Sequence, residues 1–384
     1  MKEPVKDLLL HKRVICTVGS GGVGKTTCAA SLGVMASALG RRALVLTIDP
    51  ARRLAGAMGL GDIGHREEVL GVERLKTLGI PAQQPLSVKM LDLKQAWDDM
   101  VRRLSPDEDV ANGILQNRFY AYLSTELAGA QEYIACEQLY TLIHEHDFDV
   151  DILDTPPTAN ALDFLDAPEK ILAILNHEAV KYAARPALAA GKFSLKLLDM
   201  AGGAAMKALE KITGVETLKE LGEFLLLFER LFEPLKERTH AVQKLLSSDG
   251  TSFVLVASPE LGPLSQAQYF LRHLSMMDLT VGAVLVNRVR QAPAHEASPG
   301  VLDAALALHG VTAEARAGLV PAATQAIEDA RRLVERENRT MQPLLLAAAL
   351  SPVVRLPRLG DDVHDLPGLW RLGTLMMQAI PERG

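Results

Sequence analysis

Gly19-Ser20-Gly21-Gly22-Val23-Gly24-Lys25-Thr26 decides the fold class of this 384-residue chain. The octapeptide fits G-x-x-x-x-G-K-[ST], the pattern of a loop that wraps phosphate. An apolar run at 14–18 precedes it, and a helical pattern over 25–39 follows and stops at Gly40. Strand, glycine loop and helix form the setting this motif requires. The glycines let main-chain N–H groups turn inward around phosphate oxygens, and the helix N-terminus adds a favourable partial charge. Lys25 is then expected to reach the β- and γ-phosphates of ATP, and the Thr26 hydroxyl to bind Mg²⁺. One rival shares the glycines. Gly19-x-Gly21-x-x-Gly24 also satisfies the dinucleotide fingerprint, with Asp49 near the place of a ribose-binding acid. Lys25-Thr26 argues against it, because a dinucleotide loop does not need a lysine followed by a hydroxyl there.

Working outward, a second apolar run at 43–48 completes a strand–helix–strand unit, whose crossover should be right-handed. Further β-branched runs at 87–91, 150–153, 253–257, 281–286 and 353–356 read as buried parallel strands. Helical patterns at 265–277 and 323–350 alternate with them. The expected fold is therefore α/β, a doubly wound, mostly parallel sheet. The stretches 95–146 and 165–248 lack strand signals and are expected to form one inserted helical subdomain. That leaves 1–94, 147–164 and 249–384 as a discontinuous nucleotide-binding domain. Ser105-Pro106-Asp107-Glu108 and Thr217-Leu218-Lys219-Glu220 read as helix starts with Ser105 and Thr217 as caps. Loops near 79–85 and 291–299 are expected to be mobile.

Hydrophobic residues at 48% and charged residues at 23% are ordinary for a soluble globular protein. A net charge of −6 argues against a protein that coats nucleic acid. Three cysteines, Cys16, Cys28 and Cys136, cannot build a four-cysteine zinc site and make a disulfide framework improbable. Neither a signal peptide nor a run of 18 apolar residues is present in the sequence, so a cytoplasmic location is expected. His144-Glu145-His146 places its imidazoles on different helix faces and reads as a solvated turn rather than a metal site. Arg52-Arg53 and the charged run 328–339 read as solvent-facing.

Two acids complete the candidate site. Val150-Asp151-Ile152-Leu153-Asp154 is a strand ending in a carboxylate, and Asp154 there can hold Mg²⁺ through water. Asp49 ends the second strand, where a carboxylate can orient or deprotonate the attacking water. A turn aspartate is the alternative reading of either residue; the neighbouring glycine loop favours the functional one for Asp154, and spacing leaves Asp49 open.

Together these residues resemble the arsenical-pump-driving ATPase family. That family includes the ATPases guiding tail-anchored membrane proteins, and it is akin to MinD, ParA and the nitrogenase iron protein. The segments that carry the likeness are 19–27, Thr47-Ile48-Asp49-Pro50-Ala51, Asp154-Thr155-Pro156-Pro157-Thr158, Val284-Leu285-Val286-Asn287 and Val353-Val354-Arg355-Leu356-Pro357. The resemblance implies that Thr27 joins the nucleotide loop, that Asp49 activates water and that Asp154 is the Mg²⁺-associated acid. It also implies that Asn287 reads the adenine edge with Pro357 near the base. The behaviour it implies is a dimer, of identical chains or with a paralogue, that closes over ATP and moves helical subdomains to handle a hydrophobic protein client or a membrane partner.

The departures are as informative. Family members carry a lysine where this chain has Ser20, so the charge that crosses the dimer interface is missing. Thr158-Ala159-Asn160 replaces a Thr-Gly-His sequence. The cysteines do not suggest an arsenite site. The apolar stripe Leu221, Phe224, Leu225, Phe228, Leu231, Phe232 and Leu235 either packs the subdomain or lines a client groove, with Met200, Met206, Met276 and Met277 as adaptable lining. An energising subunit of an anion exporter and a ParA/MinD-like positioning factor remain as alternatives. A P-loop kinase or ligase is disfavoured by the Asp-Pro-Ala segment.

Overall fold

The computed structural model describes residues 3–48, 53–60, 66–126, 130–155, 163–176, 215–293, 298–348 and 351–379. Its strands are β1 (Val14–Val18), β2 (Ala43–Thr47), β3 (Glu68–Leu70), β4 (Leu86–Met90), β5 (Val150–Asp154), β6 (Thr251–Ala257), β7 (Val281–Val289) and β8 (Val353–Pro357). They form one sheet in the order β3-β4-β2-β5-β1-β6-β7-β8. The pairings from β4 through to β8 are parallel, and β3 runs antiparallel at the edge. β1 lies near the middle, hydrogen-bonded to β5 on one side and β6 on the other.

The helices run α1 (Pro4–His11), α2 (Lys25–Ala38), α3 (Arg53–Met58), α4 (Val72–Thr77), α5 (Leu93–Leu104), α6 (Glu108–Leu115), α7 (Arg118–Glu126) and α8 (Ala130–Glu145). They continue as α9 (Asp163–Asn176), α10 (Val215–Glu229), α11 (Phe232–Leu246), α12 (Leu261–Met276), α13 (Pro299–Leu308), α14 (Ala313–Ala347) and α15 (Leu366–Gln378).

Continuous apolar strands make sense because both faces of the sheet are covered. Successive side chains point to opposite faces, so Val14, Cys16 and Val18 enter one core while Ile15 enters the other. The core containing Ile15 is closed by α1–α4 and α15, with α2 nearly wholly buried beneath α15. The opposite core takes Trp97 of α5, Tyr133 and Cys136 of α8, Phe228 of α10, Leu235 of α11 and the last turns of α14. There the buried Glu137 carboxylate accepts hydrogen bonds from Arg103 and Arg238, both at 2.9 Å, tying α5, α8 and α11 together.

Several expectations need correction. The cap before α6 is Asp107, whose carboxylate accepts from the Val110 N–H, while Ser105 closes α5. Thr217 is no cap, because α10 already begins at Val215. The loop at 79–85 is held, not mobile. Ile80 and Ala82 are buried, and the Gln83 main chain and side chain bond to the end of α2. Of the second loop, 294–297 lies outside the described residues. The helix expected over 323–350 begins ten residues earlier at Ala313 and carries Pro321 and Pro343 within it. The apolar stripe on α10 and α11 packs inward at Phe224, Phe228, Leu231, Phe232 and Leu235, so those positions belong to the core rather than to a groove. Met200 and Met206 lie outside the described residues, and Met276 is exposed.

Candidate functional site

The chain leaves β1 at Val18 and turns at Gly19, where φ is +149°. A side chain there would place its first carbon 2.1 Å from the Val256 carbonyl oxygen, so the close approach of loop to β6 demands glycine. The turn delivers the loop to the N-terminus of α2, which Gly24 caps with φ +97°. Gly24 also lies against β7, since an added carbon would meet Asn287 Nδ2 at 2.5 Å. Val23 is buried beneath the loop, whereas Gly21 and Gly22 face solvent. The Ser20 hydroxyl is buried and makes no hydrogen bond.

Lys25 is buried, and its Nζ donates to the Gly19 and Ser20 carbonyls, both at 2.9 Å. The ammonium thus spans the loop from inside. One residue on, Thr26 Oγ1 donates to Asp154 Oδ2 at 2.7 Å, and Thr47 Oγ1 donates to the same oxygen at 2.9 Å. Strand alternation explains the meeting. Asp154 shares the face of β5 with Ile152, the face α2 covers, and β5 runs between β1 and β2. Thr47 was not anticipated, although a hydroxyl ending the apolar run 43–46 was a visible signal.

On the other side of the loop, Asn287 Nδ2 donates to the Val23 carbonyl at 2.9 Å, and its Oδ1 accepts from the Arg288 N–H at 2.9 Å. Arg288 has φ +62° and donates from Nη1 to the Gly22 carbonyl at 3.0 Å. The β7–β8 register breaks between Val286 and Val289, at this pair of residues. Sequence reading stopped at Asn287, and no periodicity marks Arg288.

Beyond these residues opens a cavity of about 830 Å³. Gly24, Thr27, Asn287, Arg288 and Pro357 lie on its wall, and α14 supplies Leu333, Arg336, Glu337 and Thr340. Glu337 accepts from the Arg290 N–H at 3.0 Å and pairs with its guanidinium, fastening α14 to β7. The structure therefore gathers Gly19, Ser20, Gly21, Gly22, Val23, Gly24, Lys25, Thr26, Thr27, Asp154, Asn287 and Pro357 around one loop and cavity. Asp49 lies outside the described residues, as do 50–52 and 156–160.

The cysteine thiols are insulated. Burial pushes Cys28 up to about 12, with the Asp154 charge adding and Arg288 opposing. Burial likewise pushes Cys16 up to about 12 and holds Cys136 well above the usual thiol range. His144 is exposed and stacks on Tyr140. Among the described residues no cluster of three His, Cys, Asp or Glu side chains is placed to hold a metal.

The sequence profile described as anion-transporting ATPase matches residues 12–304. The chain belongs to the anion-transporting ATPase family. It is an ATPase by family, and nucleotide binding follows. A protein of Aquifex aeolicus named as an arsenical pump-driving ATPase is 26% identical over 72% of this chain and 63% of its own length. ATPase GET3 of Eremothecium gossypii is 26% identical over 71% of this chain and 70% of its own. An ATPase ASNA1 homolog of Entamoeba dispar is 26% identical over 71% and 74%. The chain thus spans somewhat less than two thirds of the first relative. The matched profile ends before α14, β8 and α15, so the cavity wall from α14 lies outside it. No helix among the described residues is long and apolar enough to cross a membrane.

Proposed function

We propose that this chain is a Mg²⁺-dependent ATP switch of the anion-transporting ATPase family, working as a dimer in the cytoplasm to couple nucleotide to a hydrophobic protein client or membrane partner. The observation that carries the site is the meeting of Thr26 and Asp154 at 2.7 Å beside the loop that Lys25 spans. A hydroxyl and a carboxylate are hard oxygen donors, the kind Mg²⁺ takes alongside phosphate oxygens rather than in a protein cage. That chemistry fits the pair. Thr26 would hold the ion directly, and Asp154, kept in place by Thr47, through water. When bound, Mg²⁺ supplies neutralisation of charge on the transferring phosphoryl group.

The rest falls to the chain's own groups. Main-chain N–H groups from Gly21 to Thr26 surround the phosphates, and the ammonium of Lys25 turns from its loop carbonyls toward them. Asp49 orients the attacking water. The base enters the cavity between Asn287 and Pro357, where α14 walls it off. In this reading α5–α11 form the helical subdomain, spanning 95–146 and 165–248, that answers the switch, and 1–94, 147–164 and 249–384 form the nucleotide domain.

The relative named as an arsenical pump-driving ATPase raises an exporter-energising role. All three cysteines are buried with their thiols held protonated, so none offers a thiolate to arsenite, which favours the client reading. α15 buries Leu366, Leu369, Leu372 and Met376 in the core, so its apolar face is not open to a membrane surface. The test is light scattering after size exclusion, with Mg·ATP and without, on the parent and on Asp49→Asn. The parent should dimerise with Mg·ATP, and Asp49→Asn should remain trapped as the dimer because it cannot hydrolyse. A chain that stays monomeric in both cases refutes the switch.

A further inference from the structure

We propose that Arg288 supplies, within the same chain, a cation to the bound nucleotide's phosphates, at a loop that lacks one at Ser20. This rests on the nucleotide-site reading above. Position 20 offers no charge, and its hydroxyl is buried without a hydrogen bond. The nearest substitute is placed at some cost. A non-glycine residue at φ +62° sits in a sparsely populated region of backbone space, and such outliers cluster where a side chain must be aimed. The irregularity between Val286 and Val289 is the accompanying device, since a break in strand register re-aims the residue within it. Its effect is to swing the guanidinium of Arg288 off β7 and onto the Gly22 carbonyl at 3.0 Å, at the edge of the cavity that Gly24 and Thr27 also line.

That carbonyl engages one of five guanidinium N–H donors, and the contact is exposed. A neutral carbonyl is a weaker partner than phosphate, to which arginine bonds with charge assistance. Arg336 and Arg358 also line the cavity, but among the described residues Arg288 is the one of its arginines that bonds a carbonyl of the loop. Lys25 spans the loop from inside and Arg290 pairs with Glu337. Arg288 therefore exchanges the Gly22 carbonyl for a phosphate oxygen when nucleotide enters, and the freed carbonyl remains exposed to water.

The experiment uses the full chain and a fluorescent ATP analogue, displaced either by Mg·ATP or by adenosine. Arg288→Gly keeps a residue at ease with positive φ while removing the charge, and Arg288→Lys restores a cation. The expected result is an ATP affinity about 10- to 100-fold weaker in Arg288→Gly, with adenosine competition unchanged and Arg288→Lys intermediate. Equal loss of ATP and adenosine would mean that Arg288 only braces the loop, and an unchanged ATP affinity would mean that it touches no phosphate. Either result overturns the proposal. Failure of the parent itself to bind the analogue would sink the nucleotide-site reading instead.

Discussion

Asp151 should make this protein lose stability as pH rises from about 4 to about 7. It sits three residues before Asp154 on β5, on the opposite face of the sheet, only 1% exposed. Neither carboxylate oxygen has a hydrogen-bond partner. Burial pushes its pKa from 3.8 up to about 7, opposed only in part by the charge of Arg13, whose guanidinium bonds to the Ile143 carbonyl. The folded carboxyl therefore holds a proton that the unfolded chain releases near pH 4. Stability from this group is full below that value and is lost as pH rises to about 7, after which it is level. A shift of about three units corresponds to about 4 kcal/mol, at about 1.4 kcal/mol per pH unit. Asp151→Asn removes the titration while keeping the size. Urea unfolding of parent and variant at pH 5, 6, 7 and 8 should show the variant gaining about 3 kcal/mol on the parent across the series. A difference that stays constant with pH would refute the reasoning.

Other perturbations reach the site and its support. Asp154→Asn should raise the Mg²⁺ concentration for half-maximal ATP turnover by about 10- to 100-fold, seen by titrating turnover against the metal. Gly19→Ala drives a carbon to 2.1 Å from the Val256 carbonyl and should abolish ATP binding in calorimetry. Gly300→Ala on α13, with open space around it, should leave binding intact. Glu137→Ala leaves Arg103 and Arg238 without their shared buried carboxylate and should cost about 3–5 kcal/mol in urea unfolding.

The glycine loop between β1 and α2 was legible because its glycines, lysine and threonine obey a local rule that no tertiary contact can relax. The central strands were legible because burial on both faces writes them as unbroken apolar runs. Three residues of β3 carry too little pattern to show, and its antiparallel pairing depends on β4 lying beside it. α14 was read short at its start, just after Pro321, yet that proline is accommodated within the helix. Asp107 displaced Ser105 as a cap because α5 extends far enough to use Ser105 as its own end. Within the site, Asp154 announced itself as an acid ending an apolar strand. Arg288 did not, since its place depends on a positive φ and a register break that only the folded sheet reveals.

Lys25 and the loop from Gly19 to Thr26 are proposed to hold the phosphates of ATP. Isothermal titration calorimetry of Mg·ATP into the full chain, parent against Lys25→Ala, tests it most directly. One site per chain is expected in the parent and at least a tenfold weaker affinity in Lys25→Ala, because a charged hydrogen bond to phosphate is lost. Equal affinities in the two proteins, or no heat from the parent, would contradict it.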